Sequence, residues 1–75
     1  MQQYVITLRS VDEVKDFVNQ VTALREDVDV ISGRYTVDGK SIMGLFSLDL
    51  GARLTVTVYG TDDGAYRRLL APYLV

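Results

Sequence analysis

Between Leu8 and Val11 the hydrophobic period of the chain changes from two to 3.6, and that change fixes the kind of fold available to it. Tyr4, Ile6 and Leu8 alternate with Val5 and Thr7, the pattern of a strand with one buried face. Ser10 can then cap a helix, and Glu13 completes a Ser-x-x-Glu capping box. Behind the cap, Val11, Val14, Phe17, Val18, Val21 and Leu24 recur at helical spacing. Asp12, Glu13 and Asp16 fall in the first turns, where they complement the positive end of the helix dipole. The spacing predicts a helix over residues 11–25. A strand that feeds directly into an amphipathic helix buries both apolar faces together, in two layers.

The rest of the chain extends that arrangement. Val28, Val30 and Ile31 predict a second strand, Ser32-Gly33 a hairpin turn, and Tyr35 and Val37 a short returning strand. Asp38-Gly39 stops it, and Ser41 is placed to cap a short helix over residues 42–48. From Arg53 to Tyr59 the alternation returns, with Leu54, Val56 and Val58 on the buried side. Thr61 with Asp62 and Asp63 opens a last helix carrying Tyr66, Leu69, Leu70 and Tyr73, which Pro72 weakens or ends. The order is βαββαβα. It predicts an α+β fold, an open-faced two-layer sandwich of a four-stranded antiparallel sheet with helices on one face, in one domain spanning residues 1–75.

Composition removes most chemistry. The chain has 75 residues and no cysteine, so disulfides and thiolate metal sites are impossible. It has no histidine either, which removes the commonest neutral metal ligand and the side chain best suited to proton transfer near neutral pH. Zinc chemistry and Ser-His-Asp or Cys-His catalysis are excluded, and neither an enzymatic activity nor a cofactor is expected. Asp12, Glu13 and Asp16 could be read as a metal cluster, but acids that complement a helix dipole explain them better. A net charge of −2, with Arg67-Arg68 the only adjacent basic pair, argues against nucleic acid as a partner. No apolar run approaches the roughly 20 residues that span a bilayer. Met1-Gln2-Gln3-Tyr4 has no charged leader before an apolar stretch, so a cytoplasmic protein without membrane contact is expected.

The segment Thr36-Val37-Asp38-Gly39-Lys40-Ser41-Ile42-Met43-Gly44-Leu45-Phe46-Ser47-Leu48 resembles the K-S-I-M-G-[VL]-[ML]-S-L signature of the HPr family, the small phosphocarriers of the bacterial sugar phosphotransferase system. The likeness extends over roughly residues 4–71. The stretch from Phe17-Val18 to Val30 runs like the family's first helix and second strand, and the stretch from Ala52 to Gly60 like its fourth strand. The resemblance implies the same βαββαβα sandwich. It also exposes a departure. The family carries G-L-H-A-R-P-A between its first strand and first helix, where the histidine takes phosphate from enzyme I. Here Leu8-Arg9-Ser10-Val11-Asp12-Glu13-Val14 stands in that place, about three residues shorter, without histidine, proline or the following arginine. Asp12 and Glu13 would compete with a phosphate for the helix N-terminus. The expected protein is HPr-like and unable to carry phosphate on histidine.

Two groups of residues remain as site candidates. The resemblance implies that Ser41 is a regulatory phosphorylation site, as in many Gram-positive members, with Lys40 beside the phosphate; its own chemistry makes it a helix cap, and the roles are compatible. The resemblance also implies that the short helix docks protein partners, namely enzyme I, the kinase or transcriptional regulators. Lys40, Ile42, Met43, Leu45 and Phe46 are the candidates, because one short helix cannot bury so many apolar side chains. The competing reading places Ile42, Leu45 and Leu48 in the core with Met43 and Phe46 semi-exposed. Arg9 and Ser10 read as a tight connection closed by a capping box rather than as a substitute phosphate site. The functional expectation is a regulatory, protein-binding module. Its alternative is a structural or homodimer-forming remnant of a phosphocarrier.

Overall fold

Four strands pair into one antiparallel sheet in the order β1-β4-β2-β3, where β1 is Gln2–Thr7, β2 is Val28–Ser32, β3 is Tyr35–Asp38 and β4 is Arg53–Val58. Helices α1 (Val11–Thr22), α2 (Ile42–Phe46) and α3 (Asp63–Leu70) complete the βαββαβα order. The computed structural model describes residues 1–75. The register sets Tyr4 and Val30 on either side of Val56, and Ile6 opposite Leu54, so the alternating apolar residues of three strands share one face. Val14, Phe17 and Val21 of α1 and Tyr66 and Leu70 of α3 pack against that face as one cluster. Phe17 meets Tyr73 edge to face, with ring centroids 5.8 Å apart. The other sheet face is polar, and on it Gln3 Nε2 donates to Thr57 Oγ1 at 3.2 Å.

The elements stand where the periodicity puts them, with shifted ends. β1 starts at Gln2, and β4 stops at Val58. α1 ends at Thr22, short of residue 25, because the backbone tightens: Leu24 N donates to Val21 O at 3.0 Å, an i→i−3 bond. Val11 sits at the rim of α1 and remains exposed. The hairpin turn is Gly33-Arg34, one residue beyond Ser32-Gly33, since Ser32 pairs with Tyr35. Gly33 takes φ 58° while Arg34 keeps a negative φ, the turn class that needs glycine first. α2 stops at Phe46, where Ser47 Oγ donates to Gly44 O at 2.6 Å and turns the chain out of the helix. Of Thr61, Asp62 and Asp63, it is Asp62 that caps α3, accepting from Ala65 N at 3.2 Å. α3 closes at Leu70, which leaves Pro72 and Tyr73 beyond it.

Those last residues have their own task. Thr7 N donates to Tyr73 O at 2.9 Å and Val75 N to Val5 O at 3.1 Å, so the segment after α3 pairs along the outer edge of β1. A single antiparallel bridge between Ile6 and Leu74 marks the same contact.

Candidate functional site

The connection between β1 and α1 is Leu8, Arg9 and Ser10 alone. Leu8 is buried, and its carbonyl accepts from Gly51 N at 2.8 Å, which ties the connection to the loop before β4. Ser10 Oγ accepts from Glu13 N at 3.1 Å. Glu13 Oε1 reaches back to Arg9 N at 2.8 Å, one residue beyond the usual capping-box partner. The helix start is thus closed by its own side chains. Its acids do not gather into a metal site: no three carboxylates of the protein converge where an ion could be held.

The short helix divides its side chains by spacing. Residues three apart share a helix face. Ile42 and Leu45 form the inward pair: Leu45 is 1% exposed, and Ile42 is half-buried against the core cluster. Met43 and Phe46 form the outward pair, 76% and 40% exposed. Leu45 therefore offers no surface to a partner, and its place among the docking candidates is corrected; it is the anchor that seats α2. Gly44 lets the helix lie against β3, since a Cβ there would stand 3.2 Å from Val37 Cβ. Ser41 Oγ caps the helix by accepting from Gly44 N at 3.1 Å.

Lys40 does not stand free beside Ser41. Its Nζ donates to Leu24 O at 2.7 Å, across the end of α1, while its backbone N–H donates to Asp38 Oδ1 at 2.9 Å. Gly39 makes this turn possible. Its N–H donates to Val28 O at 2.7 Å, and a Cβ there would sit 2.6 Å from Val28 Cγ1.

Two neighbours of α2 carry no mark in the sequence signature. Tyr35, 73% exposed, and Arg34 line a shallow cleft of about 310 Å³ with Ser47, Leu48 and Asp49, the residues that follow α2. The signal available in the sequence was an aromatic residue beside a glycine turn, at a position whose burial the strand alternation alone left open. Across the sheet, Tyr59 donates to Asp29 Oδ2 at 2.8 Å beside Asp27 and Asp38.

A linked set of charged and phenolic groups lies away from α2. Tyr4 donates to Asp63 Oδ1 at 2.6 Å, Arg67 Nε donates to both oxygens of Asp63 at 3.0 and 3.1 Å, and the Arg67 guanidinium lies 5.4 Å from the Tyr4 ring centre. Burial, followed by the Asp63 hydrogen bond, pushes the Tyr4 hydroxyl up to about 12. The Tyr4 and Arg67 hydrogen bonds hold the Asp63 carboxyl below its ordinary value. A second tyrosine–carboxylate pair, Tyr66 donating to Glu26 Oε2, lowers the Glu26 carboxyl likewise. These pairs join α3 to the sheet and to the chain entering β2. They are structural.

Four antiparallel strands with one face covered by three helices and the other open define an α+β open-faced sandwich. That is the fold of the HPr phosphocarriers. The chain superposes on HPr-C-His from Thermoanaerobacter tengcongensis with a TM-score of 0.79 at 22% identity, over 95% of this chain and 89% of that one. It superposes on phosphocarrier protein HPr from Bacillus anthracis with a TM-score of 0.76 at 25% identity, over 96% of this chain and 95% of that one. No protein-family model and no curated protein matches the sequence. No helix is long and apolar enough to cross a membrane.

Proposed function

We propose that this protein is an HPr-fold binding module of the cytoplasm that meets a phosphotransferase-system protein through α2 and carries no phosphate on a histidine. The observation that carries the reading is the division of α2: Leu45 is fixed in the core while Met43 and Phe46 face outward together. A helix seated on one side and capped by Ser41 presents those two side chains at little entropic cost. Methionine and an aromatic ring side by side suit a partner surface that adapts on contact. The likeness of residues 40–48 to the HPr signature names enzyme I as the first partner to try and the kinase of HPr as the second.

The connection Leu8-Arg9-Ser10 supports the other half of the proposal. It has no imidazole to accept a phosphoryl group, and Ser10 and Glu13 already occupy donors at the start of α1. Ser41 is the proposed site of any regulatory phosphate. Lys40 is engaged with Leu24, so it would have to leave that carbonyl to pair with the phosphate.

The test uses the 15N-labelled protein with enzyme I and, separately, the kinase from the same organism. The reading expects chemical-shift changes centred on residues 41–48 with at least one of them, and no acid-labile phosphate after incubation with enzyme I and phosphoenolpyruvate. Acid-labile phosphate on the protein, or no shift with either partner, overturns it.

A further inference from the structure

The sheet has one closed side and one open side. Along β1 the segment after α3 occupies the outer edge through the Thr7–Tyr73 and Val75–Val5 bonds. β3, at the other end of the order β1-β4-β2-β3, has no strand beyond it. The Gly39 N to Val28 O bond sets the phase of the β2–β3 ladder. In an antiparallel ladder hydrogen-bonded and non-hydrogen-bonded pairs alternate. Val30–Val37 and Ser32–Tyr35 are therefore bonded pairs, while Ile31–Thr36 and Asp29–Asp38 are not. Thr36 and Asp38 turn their N–H and C=O groups away from β2. Of these outward groups only the Asp38 carbonyl is used, by Ser41 N at 3.0 Å.

Natural sheets blunt such an edge with lysine, proline, a bulge or a covering segment. The β3 sequence Tyr-Thr-Val-Asp has no lysine, proline or bulge. Its two ends differ in sign: Arg34 precedes it, Asp38 ends it, and the protein's one salt bridge, Arg67–Asp63, uses neither.

We propose that the free β3 edge pairs antiparallel with β3 of a second copy of this chain, about a two-fold axis at Thr36. Thr36 then exchanges both backbone hydrogen bonds with Thr36 of the other copy. Tyr35 lies opposite Val37, an aromatic against a β-branched residue on the helix-bearing face, where Val37 already packs against the core. Arg34 lies opposite Asp38, twice by symmetry. The charge order along the edge is self-complementary in this register. The two sheets join into one of eight strands, twice the four of the single chain. Met43 and Phe46 lie on α2 and not on the β3 edge, so Phe46→Glu separates this pairing from docking through α2. Four residues of edge form a small contact, so the dimer is weak.

Sedimentation equilibrium from about 10 µM to 1 mM tests the pairing, with thermal melts run on each variant to establish that it is folded. The wild type shifts from monomer toward dimer across that range. Thr36→Pro removes an outward N–H that β2 does not use, and abolishes the dimer. Arg34→Glu sets like charges opposite each other twice and weakens the dimer by roughly tenfold. Phe46→Glu leaves it unchanged. In a mixed-label sample, an intermolecular Hα–Hα contact between Tyr35 and Val37 identifies the register. A wild type that stays monomeric at 1 mM overturns the proposal. So does a dimer that survives both folded edge variants, or one that Phe46→Glu dissolves.

Discussion

Lys40 Nζ donates to the backbone carbonyl of Leu24 at 2.7 Å, so a side chain standing just ahead of α2 closes the open end of α1. α1 has no basic residue in its own last turn to do this. Leu24 lies two residues beyond Thr22, so the ammonium supplies a partner to a carbonyl outside the helix ladder and adds positive charge near the helix C-terminus, where the dipole favours it. The same contact fixes the approach to Ser41 and therefore the position of α2.

Removing that charge should be felt in stability. Lys40→Met keeps the aliphatic stem and loses the donor, and is expected to cost about 1 kcal/mol, a half-exposed charged hydrogen bond being worth somewhat less than a buried one. Urea denaturation of the two proteins measures it. An unchanged midpoint means that water serves the Leu24 carbonyl equally well.

At the other end of α1, Ser10→Ala removes the oxygen that accepts from Glu13 N. The expected loss is about 1 kcal/mol by the same measurement. Glu13 would still reach Arg9 N. A larger loss would show that the two bonds depend on each other.

Thr7 gives a change in the opposite direction. Its Oγ1 is buried without a hydrogen-bond partner. Thr7→Val removes the stranded hydroxyl at nearly constant shape and should stabilise the fold by about 1 kcal/mol. A destabilised variant would mean that the hydroxyl has a partner in solution.

Stability should fall at both extremes of pH. Asp63 and Glu26 have carboxyls lowered in the folded state by the Tyr4 and Tyr66 hydrogen bonds. Their contribution is complete above the unfolded carboxylate value of about 4 and is lost as pH falls through the lower folded values. Tyr4 is raised from 10.0 to about 12, so its contribution is complete below 10.0 and is lost as pH rises toward 12. Melts across the pH range check both limbs. Asp63→Asn should flatten part of the acid limb, and an acid limb unchanged in that variant would contradict the assignment.

Much of the fold was legible because it rests on local rules. The alternation of Tyr4, Ile6 and Leu8, the capping of α1 by Ser10 and the spacing of Val14, Phe17 and Val21 each act within a turn or a strand, and the structure reproduces them. The ends of elements depended on distant partners. α1 stops near Thr22 while Lys40 serves the carbonyl of Leu24, and the residues beyond Leu70 fold along β1; neither contact has a period to read. The candidate site was legible as a segment, and the competing reading of it gave its faces, with Ile42 and Leu45 turned inward and Met43 and Phe46 exposed. The close approach of Gly44 to Val37, which seats the helix on β3, had no period to read. Arg34 and Tyr35 escaped because an edge is a property of strand order, which pairs residues far apart in the chain.

The central claim is that Met43 and Phe46 form the partner-facing surface of an HPr-fold protein without phosphohistidine chemistry. Isothermal titration of the partner that shifts residues 41–48, with wild type and Phe46→Glu side by side, tests it most directly. Phe46 is 40% exposed, so thermal melts of both proteins accompany the titration to establish that the variant is folded. The account predicts that Phe46→Glu weakens binding by at least about tenfold, because a charge replaces an aromatic anchor at the centre of the contact. Equal affinity of the two proteins would contradict it.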